Sequence, residues 1–150
     1  MKHDIEWFLV LNARRARILP GLPESGESAP AEEILDTADK TLGEIMSDKP
    51  GRSFSSGSPG RRSAMEYGSD PVEEQHRLFL REVIGRLKSH QAADNFDWLT
   101  VFAAPDMLGL LRDEMPAELK TCVKREVSKN LVGIDETELP ARIREELAKL

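Results

Sequence analysis

Apolar and polar positions along this chain change period several times, and each change marks an element. Residues 5–11 (IEWFLVL) are an almost unbroken apolar run, too short for an independent helix and typical of a strand covered on both faces. Asn12-Ala13-Arg14 makes a turn and residues 15–19 read as a second strand, so the chain opens on a β-hairpin. Residues 20–30 are rich in Gly, Pro, Ser and Glu and predict a loop, after which residues 32–37 (EEILDT) read as a short strand at a sheet edge. Residues 39–46 are ambiguous, since Leu42, Ile45 and Met46 keep helical spacing for only two turns. After Asp70 the period is helical. Val72, His76, Phe79, Leu80, Val83, Ile84 and Leu87 mark one face with charges opposite, predicting a helix to about residue 90. Gly85 is a modest local cost within it. Residues 97–104 (DWLTVFAA) predict another buried strand, stopped by Pro105. Pro105-Asp106 opens a helix with Met107, Leu108, Leu111 and Met115, and Pro116 starts a further helical turn. Val123, Arg125 and Val127 alternate as a last strand. Thr137 is placed to cap a final helix with Leu139, Ile143 and Leu147 inward and Pro140 in its first turn. The order β-β-β-loop-α-β-α-β-α predicts an α/β fold, a mixed sheet with helices on its faces.

One stretch has no such pattern. Residues 49–65 hold five Ser, three Gly, two Pro, four basic residues and no carboxylate, too little apolar surface to offset the entropy of ordering. It reads as an exposed, flexible loop spanning residues 48–70. It ends at Asp70-Pro71-Val72-Glu73, where Asp70 can serve as N-cap, Pro71 suits the first helical position and Glu73 can reach back as in a capping box. Lys49, Arg52, Arg61 and Arg62, together with backbone N–H groups and the helix dipole, would favour an anionic partner there. Phe54 and Tyr67 lie beside these arginines with little apolar company. They can stack on an exposed base, as in single-stranded RNA recognition, or fold back to anchor the loop.

Composition limits the remaining choices. The net charge of −6 argues against binding nucleic acid through bulk charge; residues 49–65 carry +4, which leaves −10 on the rest of the chain. An anion-facing loop on an acidic body and an ordinary solvated loop both fit that asymmetry. Arg14, Arg15 and Arg17 are expected as solvated charges at the hairpin tip. A chain of 150 residues is expected to form one domain, residues 1–150. No apolar run approaches the roughly 20 residues of a membrane span. The opening MKHDIEW carries two acidic residues where a signal peptide wants basic charge, and Cys122 has no disulfide partner in the chain. These features predict a cytoplasmic protein with no membrane partner.

Catalytic signatures are missing. There is no G-x-x-x-x-G-K-[ST], no G-x-G-x-x-G after a strand and no G-x-S-x-G, so no cofactor is implied. The loop serines have no evident base. Glu73 and His76 have a ligand-compatible i, i+3 spacing but no second such pair, so no metal site is assigned. Glu32, Glu33, Asp36 and Asp39 could act as paired carboxylates for acid–base or magnesium chemistry, or lie on a solvated surface. Cys122, among apolar neighbours, reads as a small packing residue.

Over nearly its whole length the sequence resembles a bacterial family, the host attachment proteins. The carrying stretches are WFLVLNARRARIL, DKPGRSFSSGSPGRRSAMEYGSDPVEE, DWLTVFAAPDMLGLLRDEMP and EVSKNL. They are similar to the family's opening hairpin, its central Asp-Arg-Pro-Gly-Arg-Ser-Phe loop with the Asp-Pro-His-Glu helix start, its Ala-Pro-Pro-x-x-Leu-Gly-x-Leu-Arg turn and its Glu-Val-x-Lys-Asp-Leu stretch. Lys49 stands where the family usually has Arg, Val72 where it often has His, and Asp106 in place of the second Pro. The resemblance implies an RNase-H-like α/β fold similar to the middle domain of archaeal and eukaryotic class-1 release factors. There a glycine-rich loop before a long helix carries Gly-Gly-Gln to the ribosome; this chain has no Gly-Gly-Gln. The implied function is RNA or ribosome binding, acting indirectly on attachment. A metal-dependent hydrolase of a nucleotide or phosphorylated substrate and a protein-interaction module are the alternatives.

Overall fold

The computed structural model describes residues 4–23, 31–37 and 70–150. The ambiguous residues 39–46 and the basic segment 49–65 fall outside them. The strands are β1 (Glu6–Leu11), β2 (Arg15–Leu19), β3 (Glu33–Asp36), β4 (Trp98–Phe102) and β5 (Val123–Val127). The helices are α1 (Pro71–Ala92), α2 (Pro105–Glu114), the single turn α3 (Ala117–Lys120) and α4 (Leu139–Ala148). The strands form one five-stranded mixed sheet in the order β3-β2-β1-β4-β5. β1–β2 and β2–β3 are antiparallel, whereas β1–β4 and β4–β5 are parallel. The expected α/β architecture, with β3 at an edge, is what forms.

β1 is central because its pattern suits no other place. Phe8 to Leu11 are all buried, and alternate residues point to opposite faces. Leu9 and Leu11 join Leu99, Val101 and Ala103 in a core beneath α1 and α2, to which Phe79, Leu80, Val83, Leu87, Met107, Leu108 and Leu111 contribute. Phe8 and Val10 join Leu19, Phe102 and Val127 beneath α4, which supplies Leu139 and Ile143. Leu119 of α3 joins the first core, so three helices cover one face and one helix covers the other. β2 ends in a turn in which Gly21 adopts φ 121°, a conformation open to glycine and strained for any residue with a Cβ.

α1 stops where its backbone finds partners. Asp94 enters the left-handed region (φ 60°), its N–H donating to Gln91 O at 2.9 Å, while the Asn95 N–H donates to His90 O at 2.9 Å. These two bonds make a Schellman-type end. α4 begins differently from the sequence expectation. Thr137 does not cap it: the Thr137 N–H and hydroxyl both turn to Asp135 Oδ2, and Glu138 occupies the cap position without a side-chain bond. A short Asx turn preceding the helix captured the residue that the pattern assigned to its cap.

A second correction concerns the hairpin arginines. Arg17 is not solvated. It is 5% exposed, with Nε donating to Glu32 Oε1 at 2.7 Å and Nη2 to Glu32 Oε2 at 2.8 Å. Its Nη1 donates to the carbonyls of Val132 and Ile134 at 2.8 and 2.5 Å. The fork thus fastens the hairpin, the residue before β3 and the turn before α4 together. Arg15 pairs with Asp36 at 2.6 Å, and Arg14 is exposed as expected.

Candidate functional site

The carboxyl ends of β1, β4 and β5 lie on one side of the sheet, and β3, which runs the same way as β1, ends there too. Open α/β sheets generally place their ligands on this side. The β1–β2 tip is also there and is held rigid locally. Asn12 Oδ1 accepts the N–H groups of Arg14 and Arg15 at 2.9 and 2.8 Å. Thr37, just past β3, donates its N–H to Arg14 O at 2.8 Å. The point at which residues 38–69 leave the sheet is therefore fixed to the tip of the opening hairpin.

Their point of return is Asp70, and its cap is as expected. Asp70 Oδ1 accepts the Val72 N–H at 3.0 Å, and Pro71 occupies the first turn. From there α1 crosses back to the start of β4, and near its end His90 lies against the Trp7 ring with centroids 4.8 Å apart. A 22-residue helix is about 33 Å long, whereas a six-residue strand spans about 20 Å. Burial follows from that mismatch. The buried face of α1 begins only at Phe79, and Val72 and Leu78 are 60% and 55% exposed. The face predicted from Val72 onward is thus shortened by two turns, which stand clear of the core.

Arg77 steadies this overhang. Its Nε and Nη2 donate to Glu73 Oε2 at 3.0 and 2.8 Å, and its Nη1 donates to Glu114 Oε2 at the end of α2 at 2.9 Å. Arg81 Nε reaches Glu114 Oε1 at 2.8 Å. Hydrogen bonds from Arg81 and then Arg77 hold the Glu114 carboxyl below the ordinary carboxylate range. Glu73 is consequently not the reciprocal half of a capping box, because its carboxylate turns along the helix to Arg77. The i, i+4 Glu73–Arg77 spacing was legible in the sequence; the i, i+37 link to Glu114 was not.

The remaining chemistry-bearing residues are dispersed. Glu32 is held by Arg17, Asp36 by Arg15, and Glu33 by Arg86 and His90. Glu33 faces the long helix while Glu32 and Asp36 lie on the opposite face, each held by a separate arginine, and Asp39 lies outside the described residues. His90 accepts from Asn95 Nδ2 on Nδ1 at 2.9 Å, which leaves Nε2–H to donate to Glu33 Oε1 at 2.8 Å. Burial, with Arg86 nearby, pushes this imidazole below its usual range. Cys122 is partly buried against the core and accepts from Gln91 Nε2 at 3.1 Å. Among the described residues, no group of three or more His, Cys, Asp or Glu side chains converges on a point that could hold a metal ion. None of their helices is long and apolar enough to cross a membrane.

Of the residues singled out for binding, only Asp70 lies within the described residues. Lys49, Arg52, Phe54, Arg61, Arg62 and Tyr67 fall in the segment between Thr37 and that cap. Asp70 also alters the expectation for the helix end. Its carboxylate takes the Val72 N–H, and Glu73 and Glu74 place further negative charge in the first turn. The helix terminus is already complemented from within. The α1 N-terminus, expected to favour an anion, therefore presents carboxylates there. A family model described as "Protein required for attachment to host cells" matches residues 7–143 of the chain. Among curated proteins none matches.

Proposed function

The chain belongs to the family of proteins required for attachment to host cells, and on that premise we propose that it is an RNA- or ribosome-binding module that affects attachment indirectly. The observation that carries this reading is the charge of residues 49–65, +4 without a carboxylate on a chain whose total is −6. The two ends of the 38–69 segment support it: Thr37 is tied to the hairpin tip at the carboxyl side of the sheet, and Asp70 caps an overhanging helix. In this reading Lys49, Arg52, Arg61 and Arg62 contact phosphates, and Phe54 or Tyr67 stacks on a base. The further likeness to the release-factor middle domain is part of the proposal. A mixed sheet whose long helix is entered directly from a glycine- and serine-rich segment supports it. Without Gly-Gly-Gln the proposal stops at binding and includes no peptidyl-tRNA hydrolysis. It treats the chain as one domain acting in the cytoplasm.

The hydrolase alternative is less well supported. Three of its four candidate metal ligands, Glu32, Glu33 and Asp36, are engaged by arginines.

Co-sedimentation with ribosomes and with single-stranded RNA over a salt series tests the proposal. Three or four phosphate contacts predict a logarithmic slope of roughly −2 to −3 against salt. A protein that stays in the supernatant even at low salt would sink the reading.

A further inference from the structure

β3 is fastened to the sheet differently from its neighbours. Among the described strands it alone has no buried residue: Ile34 is 50% exposed, and Leu35 is only partly buried against the core. We propose that β3 is a displaceable edge strand, held by charge in place of apolar burial, that peels away from its Thr37 end while the other four strands stay closed. The inference rests on the attachment of β3 and is independent of the RNA reading.

Three observations support it. The first is position, since β3 is outermost and pairs with β2 on one side only. The second is the shortage of apolar burial. Ordering a residue costs backbone entropy wherever it lies, and buried apolar surface is the main term that offsets that cost. The third is the grading of the ion pairs along the segment. Asp36 Oδ2 accepts from Arg15 Nε and Nη2 at 3.0 and 2.6 Å, but Arg15 is 47% exposed and water competes for such a pair. Glu33 comes next, held by the half-exposed Arg86 and by His90 at 2.8 Å. Glu32, held by Arg17 in the buried fork, is the firmest. The hold strengthens from Thr37 back to Glu32, which makes Glu32 the hinge. Peeling strands no charge, because Arg15, Arg86 and their carboxylates move into water while Arg17 keeps Glu32.

The strand register fixes which amides open with β3. The Thr37 N–H donates to Arg14 O, so antiparallel alternation makes Leu35 with Ala16 the next bonded pair and Glu33 with Ile18 the one after it. On the other side of β2, the Asn12 N–H donates to Arg15 O, and the same alternation puts the Val10 N–H on Arg17 O. Ala16 is fully buried, yet its N–H is guarded by β3 and not by β1. Peeling therefore bares the outer edge of β2 and leaves the β1–β2 ladder intact.

Native-state hydrogen exchange of the full chain, read by NMR as protection factors at neutral pH, tests this. The expected result is that Leu35 and Ala16 are at least about a hundredfold less protected than Val10, with Glu33 and Ile18 in between. Asp36→Asn and Glu33→Gln, which keep side-chain shape and remove charge, should each lower protection at Leu35 and Ala16 by about threefold or more and leave Val10 unchanged. Raising salt to about 0.5 M should act in the same direction on the unmodified chain. The thermal midpoint of each variant checks that it folds. Leu35 and Ala16 as protected as Val10, a variant that accelerates Val10 along with them, or unchanged protection at both positions in both folded variants would each overturn the proposal.

Discussion

At the scale of single residues, the Arg17–Glu32 pair decides most. Both side chains are only 6% exposed, and the four bonds of the fork reach two distant places, Glu32 and the turn carrying Val132 and Ile134. A buried pair has little net value against an apolar replacement, because desolvating two charges consumes most of their attraction. Breaking it from one side is another matter, since the remaining charge is stranded. Glu32→Ala should lower the unfolding free energy by about 3–5 kcal/mol in urea titrations. Replacing both partners, Arg17→Met with Glu32→Leu, should cost less than the single change, although the Val132 and Ile134 carbonyls then lose their donor. A double variant that costs the sum of Glu32→Leu and Arg17→Met measured singly would show that the pair is not coupled. The sequence could not reveal this site. An arginine next to two others at a hairpin tip carries the ordinary pattern of a solvated face. Its burial depends on a carboxylate 15 residues away and carbonyls more than 110 residues away.

At the scale of elements, α1 was the most legible part of the chain. Its period, its Asp70 cap and its end near residue 90 all follow from local rules. What local rules could not supply was how far the sheet reaches beneath it, so Val72 was assigned to a face that the core does not cover. Two substitutions separate the cap from the body of the helix. Asp70→Ala removes the acceptor of the Val72 N–H and should destabilise by about 1 kcal/mol. Gly85 is exposed, and an added Cβ would meet nothing within 4 Å, so Gly85→Ala should stabilise by about 1 kcal/mol. Chemical denaturation of both variants checks this, and a destabilising Gly85→Ala would mean that the outer face of α1 is packed against something. The strands were legible for the same local reasons, by their apolar runs and by Pro105. The start of α4 was not, because Asp135 takes both the N–H and the hydroxyl of Thr137, the residue the pattern assigns to the cap.

At the scale of the whole molecule, the order β3-β2-β1-β4-β5 collects the hairpin tip, the end of β3 and the connections into α2 and beyond β5 on one side. Periodicity could name the strands but not their order, which depends on which apolar faces find each other. The candidate site divides in the same way. The basic residues of 49–65 are legible as composition alone, whereas the tie from Thr37 to Arg14 at the hairpin tip joins residues 23 positions apart and no pattern announces it. Family membership gives the molecule a context in host attachment. The central claim is that the cations of the 38–69 segment meet RNA. Filter binding of a labelled single-stranded RNA tests it most directly, comparing the unmodified chain with a variant carrying Arg52→Glu, Arg61→Glu and Arg62→Glu. A matched reversal to Glu at exposed Lys88, Lys129 and Arg144 serves as control for net charge. The account predicts that the triple variant loses at least about tenfold in affinity and most of its salt dependence, with the control little changed. Equal loss in both variants, or unchanged binding by the triple variant, would contradict it.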